Sequence, residues 1–172
     1  PGTAFASGGV GTSQHLAGEL LSQAIGVPLT HVAYRGTAGA IADVQAGRVP
    51  MMVDVSVTGL QFSREGTLRA IAVLTPERLP QAPDLPTAAE TFPGFEATSW
   101  LGFVAPARTP DAALDRLSAA LAASAREPEA VRRVSEGGSI PRGTNRADFA
   151  TFIRAEADRW GPAVRASGAT AE

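Results

Sequence analysis

Three short loops hold the groups with which this sequence could do chemistry: Ser7 to Ser13, Tyr34 to Ala38, and Asp54 to Thr58. Each is rich in Gly, Ser, Thr or Ala and stands between a short apolar run and a helical pattern. Small residues let main-chain N–H groups come close to a bound group, and the following helix adds the positive end of its dipole. Thr12 and Ser13 supply hydroxyl donors at the first helix start, and Thr37 does so at the second. This is equipment for holding an anion. The same composition also serves simply to turn a chain from strand into helix, so the pattern alone leaves both uses open.

Single side chains narrow the chemistry. Asp54, at a strand end, is either a helix cap, a solvated loop acid, or an acceptor for a ligand ammonium or hydroxyl. Arg35, also at a strand end, can fork onto a carboxylate or form a surface ion pair. His15 falls in the first turn of a helix and His31 inside a strand, without metal-ligand spacing, so both read as structural. Trp100 and Trp160 lie in apolar patterns and read as core. Lysine and cysteine are absent, which removes Schiff-base, phosphate-loop lysine, thiolate, disulfide and cysteine–metal chemistry. Gly9-Val10-Gly11-Thr12-Ser13-Gln14 has only two of the three glycines of a dinucleotide fingerprint, with Gln14 where the third should be. No nucleophile–base–acid set emerges, and no metal or cofactor is expected.

The elements that position these loops alternate. Thr3 to Ala6 is strand-like, and a helix follows with Leu16, Leu20, Leu21, Ala24 and Ile25 on one face, ended by Gly26. Leu29 to Ala33 reads as a strand, Ala38 to Gln45 as a short helix closed by Gly47, and Pro50 to Val55 as a third strand. A helical stretch runs to about Arg64, and Leu68 to Leu74 reads as a fourth strand. The alternation predicts an α/β fold with a mostly parallel sheet and crossover helices.

After Thr75, prolines break up a connecting segment with a helical turn at Thr87 to Glu90. Ser99 to Ala105 reads as a strand. Thr109-Pro110-Asp111 starts a helix carrying Leu114, Leu117 and Leu121, with Thr109 as cap and Pro110 as first residue. A shorter helix runs from Pro128 to Gly137-Gly138. Thr144 caps a last one with Phe149, Phe152, Ile153, Trp160 and Val164 inward. One strand cannot build a sheet, so the second half belongs with strands found elsewhere.

Composition sets the outer bounds. The chain has 172 residues, 44% hydrophobic and 19% charged, as expected of a globular protein with a core. A net charge of -2 argues against nucleic acid or an anionic membrane as partner. No apolar stretch approaches the roughly 18 residues needed to cross a membrane. The abrupt opening at Pro1-Gly2 reads as the edge of a piece excised from a longer protein.

Several segments, taken in order, resemble one family. They are Gly11-Thr12-Ser13-Gln14-His15-Leu16-Ala17-Gly18-Glu19-Leu20, His31-Val32-Ala33-Tyr34-Arg35-Gly36, Gly66-Thr67-Leu68-Arg69-Ala70-Ile71-Ala72-Val73 and Leu85-Pro86-Thr87-Ala88-Ala89-Glu90. Pro93-Gly94-Phe95-Glu96, Ser99-Trp100-Leu101-Gly102 and Ala105-Pro106 continue the match. The sequence is similar to the Bug, or TctC, receptors of tripartite tricarboxylate transporters. The resemblance implies a periplasmic, two-lobed receptor of the type II Venus-flytrap kind, closing on a small organic carboxylate and serving membrane transporter subunits. It implies no catalysis. Residues 1–96 would form a second lobe, incomplete at its start, and residues 97–172 the C-terminal segment of the first lobe. Ligand contacts would come from Gly11, Thr12 and Ser13, and from Gly36, Thr37 and Ala38. Asp54 would face an ammonium in members that bind amino acids. Ala33 stands where Pro is usual and Arg35 where Lys is common. The first-lobe sheet and its Pro-Gly-Gly-Ser loop have no counterpart here.

Magnitudes then bear on the chain by itself. A helix N-terminus contributes about 0.3–1 kcal/mol to an exposed anion, or up to ~2 when partly buried, whereas a micromolar receptor needs about 8 kcal/mol. Half a clamp should bind weakly. The apolar helix faces from Thr109 onward should fold back or pair, which favours a dimer of the isolated chain. Two rival readings are a carboxylate-handling α/β enzyme, which would have to use His15 or Asp54 as its base, and a ligand-sensing receptor subunit for a membrane kinase.

Overall fold

Phe5 and Ala6 face opposite sides of one short strand, and that alternation organises the first half of the chain. The computed structural model describes residues 3–169. Strand β1 (Ala4–Ser7) pairs in parallel with β2 (Thr30–Ala33) on one side and with β3 (Met51–Met52) on the other. Phe5 lies opposite both His31 and Met51. Helix α1 (Ser13–Ile25) covers the Phe5 face, and the Phe5 ring presses against Gly18. Helix α2 (Thr37–Gln45) covers the other, where Ala6, Ala40 and Val49 form a core joined by Val32, Val44 and Met52. The strand order is β2-β1-β3, so the chain steps from β1 to β2 and then crosses back over β1. Helices on opposite faces follow from that reversal, and the fold is the mostly parallel α/β one that the alternation predicts.

The strands are shorter than the apolar runs that suggest them. The run from Leu68 to Leu74 forms a single bridge, Val73 with Thr87, and Ile71 is exposed. Ser99 to Ala105 forms no strand, and Leu101, Phe103 and Val104 are almost wholly exposed. Strand propensity makes a strand only where a neighbour pairs along its length; the first segment is paired only at its end, where Val73 N–H donates to Pro86 and the Val73 carbonyl accepts from Ala88, and the second is in no ladder among the described residues. Helix α3 (Ser56–Arg64) follows β3 and packs Leu60 against Val73 and Leu79. The proline-rich segment is held by a capping box. Thr87 accepts the Glu90 N–H, Glu90 accepts the Thr87 N–H, and Arg78 forks onto the Glu90 carboxylate. Those donors hold the Glu90 carboxyl down at about 2.

The structure divides into two units: the chain up to Ser99 with the segment from Trp160, and Trp100 to Arg159. The second unit holds α4 (Asp111–Ser124), α5 (Pro128–Glu136) and most of α6 (Arg146–Ser167). Its helix starts differ from expectation by one residue. Pro110, in extended conformation, stands just outside α4 and accepts the Ala113 and Leu114 N–H groups, while Thr109 closes a turn onto Pro106. Asn145 rather than Thr144 caps α6, because its Oδ1 accepts the Asp148 N–H at 2.9 Å and its carbonyl accepts that of Phe149. No residue of α4 or α5 is buried, and Leu117, Phe152, Ile153 and Val164 are all exposed. The inward face expected of α6 is therefore only partly covered. Trp100 is partly exposed rather than core, yet it is pinned. Its Nε1 donates to Glu156 at 2.9 Å, and Phe149 and Phe152 meet it edge-on.

Candidate functional site

The loop from β1 into α1 is tied at three points. Ser7 is fully buried at the end of β1, and its Oγ accepts the Gly9 N–H at 3.2 Å and lies 3.1 Å from the Gly9 carbonyl. Thr12 caps α1: its hydroxyl donates to the Gly9 carbonyl at 2.8 Å and accepts the His15 N–H. His15 Nδ1 accepts the Gly11 N–H at 3.1 Å. Gly11 has φ of 74°, a left-handed conformation that side chains disfavour. Gly11 itself is exposed at the crest, with Thr12 and Ser13 half-buried beside it.

The second loop lies alongside. Tyr34 N–H donates to the Ser7 carbonyl, and Gly36 N–H to the Gly8 carbonyl at 2.9 Å. The approach is close enough that a Cβ on Gly8 would sit 3.5 Å from both the main-chain nitrogen and the hydroxyl of Thr37. The structure thus brings Gly36, Thr37 and Ala38 next to the Ser7–Gly9 turn, at the carboxyl edge of the sheet. Helices α2 and α3 begin without a side-chain cap, and α1, α2 and α3 have no acid in the first turn. Along this edge the helix starts therefore carry no first-turn acid, and the positive ends of α1 and α2 have no carboxylate from their own first turns.

Asp54 is on the third loop, just past β3, and it is not the cap of α3; Val55 holds that position. One carboxylate oxygen accepts the Thr58 hydroxyl, while Oδ1 is buried without a hydrogen-bond partner. A buried carboxylate oxygen left unpaired is costly, so it suits a donor brought from outside. In the strand order here, the crevice at the topological switch falls between β1 and β3, the strands that lead to Thr12 and to Asp54. Arg35 is exposed and forms no ion pair among the described residues. The neighbouring Tyr34 hydroxyl instead donates to Asp43 at 2.6 Å, and Arg48 pairs with the same carboxylate. These bonds lower the Asp43 carboxyl, and the Asp43 bond raises the Tyr34 hydroxyl.

The histidines hold a place that sequence reasoning did not supply. Their rings stack with centroids 3.8 Å apart, and His31 Nε2 lies 2.6 Å from Ser7 Oγ. A hydroxyl beside an imidazole suggests a nucleophile and its base, but the arrangement does not suit that work. Ser7 is inaccessible, and Glu19 stands 3.6 Å from His15 rather than orienting His31. Burial, and then the neighbouring His15, push His31 from 6.5 down to about 4, which makes it a poor base at neutral pH. The signal for this cluster was the register that sets Phe5 opposite His31, and spacing along the chain does not encode it.

A pH dependence follows from the same shift. The unfolded imidazole titrates near 6.5 and the folded one near 4, so between those values the unfolded chain binds the extra proton. Stability is full above pH 6.5 and falls as pH drops toward 4. The expected loss is roughly 1–2 kcal/mol, allowing for solvent screening of a half-buried ring. Urea denaturation at pH 7 and pH 4.5 measures it, and His31→Gln should flatten the dependence.

Comparison with known proteins agrees with this geometry. The profile described as "Tripartite tricarboxylate transporter family receptor" matches residues 1–169. A protein of Pseudomonas sp. strain P51, described as a UPF0065 protein in the tcbD-tcbE intergenic region, is 39% identical over 158 residues. The match covers 91% of this chain and 47% of that protein. The chain thus spans about half the length of that relative. Among solved structures, R. palustris Rpa4515 with adipate superposes with a TM-score of 0.87 at 30% identity, over 98% of this chain and 56% of that one. The periplasmic binding protein BugD superposes with a TM-score of 0.83 at 30% identity, over 99% and 58%. With its parallel sheet, its small-residue loops on one edge and a profile match over nearly its whole length, the chain belongs to the tripartite tricarboxylate transporter receptor family and has the fold of a periplasmic binding protein.

Proposed function

We propose that this chain is the ligand-gripping part of a periplasmic receptor that binds a small organic carboxylate for a tripartite tricarboxylate-type transporter, without catalysis. The carrying observation is the convergence of three helix starts, free of first-turn acids, on the carboxyl edge of the sheet. The ligand carboxylate would sit at the loops of Gly11, Thr12 and Ser13 and of Gly36, Thr37 and Ala38, received by the main-chain N–H groups of Ser13, Thr37 and Ala38 with the Ser13 and Thr37 hydroxyls in support, while the internal bonds of Gly11, Thr12 and Gly36 hold the two loops in shape. The unpartnered Oδ1 of Asp54 would repel a bare carboxylate and accept from a ligand hydroxyl or ammonium, so it favours an acid carrying such a donor. The related Rpa4515 holds adipate, which supports the carboxylate class. On this reading residues 1–96 form the second lobe and residues 97–172 the C-terminal segment of the first. Closure of the two lobes would complete the clamp.

A thermal-shift panel of mono-, di- and hydroxy-acids and amino acids, run on the full-length protein, tests the reading. Selected free acids should raise the melting temperature while their methyl esters do not, because only ligands that prefer the folded state move the midpoint. A flat response to every acid, from folded protein, contradicts it.

A further inference from the structure

His15 and His31 form one unit beneath the β1–α1 loop. His15 Nδ1 accepts the Gly11 N–H, and Ser7 Oγ, 2.6 Å from His31 Nε2, accepts the Gly9 N–H. Two N–H groups flanking the crest of the loop are therefore turned inward and fixed, one through each ring. The crest at Val10 lies between them, and the N–H groups of Ser13 and Gln14 are not drawn into the network. The unit is clamped by its own packing. The rings stack on each other, and Phe5, fully buried, lies 5.0 Å from His31 and 6.5 Å from His15 between centroids. The ionisable group facing the pair is Glu19 on α1, 3.6 Å from His15 Nε2; β1 presents only Ser7 and Phe5, and β2 only His31 itself.

We infer that His15 and His31 are positioning residues for ligand binding: through Gly11 and through Ser7 and Gly9 they hold the β1–α1 loop in the conformation that receives a carboxylate. The inference rests on the carboxylate-receptor reading of the same loop. The acceptor at His15 Nδ1 makes the requirement specific. A replacement that offers no acceptor at that point leaves the Gly11 N–H unpaired, whereas one that restores an acceptor there keeps the loop tied.

Atom-specific replacement supplies the sharper test. An asparagine carries its polar atoms near the position of a histidine Nδ1, and a glutamine near that of Nε2. In the full-length protein, with adipate and citrate as probes in isothermal titration at pH 7.5, His15→Asn and His31→Gln should bind within about twofold of the parent. His15→Gln and His31→Asn should lose about tenfold, the scale of one hydrogen bond with its partner left unpaired. Circular dichroism checks that all four variants fold. Equal losses for Asn and Gln at each site would mean that the rings only fill space, and would overturn the proposal. If neither probe binds the parent protein, it is the receptor reading that fails for these acids. The positioning claim is then decided by amide spectra, in which Gly9 and Gly11 must shift in His15→Gln and His31→Asn but hold in the rescuing pair. Equal shifts in all four variants would overturn it.

Discussion

Gly18→Ala is expected to lower the stability of the first unit by about 2 kcal/mol, although alanine is the better helix former by about 1 kcal/mol. Gly18 lies within α1 against Phe5, and a Cβ there would stand 2.1, 2.3 and 2.7 Å from three atoms of the Phe5 ring. The ring has nowhere to go. Phe5 is fully buried on the central strand, with His31 beside it on β2 and the two stacked imidazoles behind. Helix α1 must then lift from the sheet, and because it begins at the Thr12 cap, the β1–α1 loop lifts with it. Urea denaturation measures the loss. A Gly18→Ala/Phe5→Leu double variant, whose side chain lacks the ring edge, should be more stable than Gly18→Ala alone. A double variant that loses as much as the two singles summed would place the strain elsewhere.

Glu156→Ala should cost about 2–3 kcal/mol in the second unit, below the 3–5 typical of a fully buried pair because water reaches part of its partner. The Glu156 carboxylate accepts Trp100 Nε1 at 2.9 Å and two Arg159 nitrogens at 2.8 and 2.7 Å. Its side chain is 9% exposed and that of Arg159 29%. Removing the carboxylate leaves the indole N–H without this acceptor and the guanidinium without this counter-charge, and it unpins Trp100 from Phe149 and Phe152. Glu156→Gln keeps an acceptor for the indole and should lose only about 1 kcal/mol. Denaturation followed by tryptophan fluorescence distinguishes the two, and equal losses would locate the energy in the ion pair alone.

Local patterns in the sequence carried most of the first unit. The Gly26 and Gly47 turns and the strand–loop–helix repeat each depend on residues a few positions apart, and each is present, whereas Thr12, read as a hydroxyl donor for a ligand, caps α1 and donates to the Gly9 carbonyl. The second half was harder to read because its signals depend on distant partners. Leu101, Phe103 and Val104 have the composition of a strand but no ladder among the described residues, and the apolar face of α4 is uncovered. Caps slipped by one residue where two candidates adjoin, as Thr144 and Asn145 do, because side-chain geometry decides between them. At the site, the loops were legible from small residues before helices. The stacking of His15 on His31 was not, since it arises only when parallel pairing brings β2 beside β1. The orphaned Oδ1 of Asp54 is likewise a property of packing rather than of spacing.

Chemical-shift mapping of adipate and of a hydroxy-diacid on the isotope-labelled full-length protein addresses the central claim most directly. The account predicts saturable shifts concentrated at the amides of Val10 to Gln14 and Gly36 to Gly39, with Asp54 and Val55 responding to the hydroxy-diacid more than to adipate. Shifts confined to the groove between α4 and α6, where Arg146 is already held by Asp111 and Asp115, would contradict it. So would an absence of shifts at the β1–α1 loop under saturating ligand.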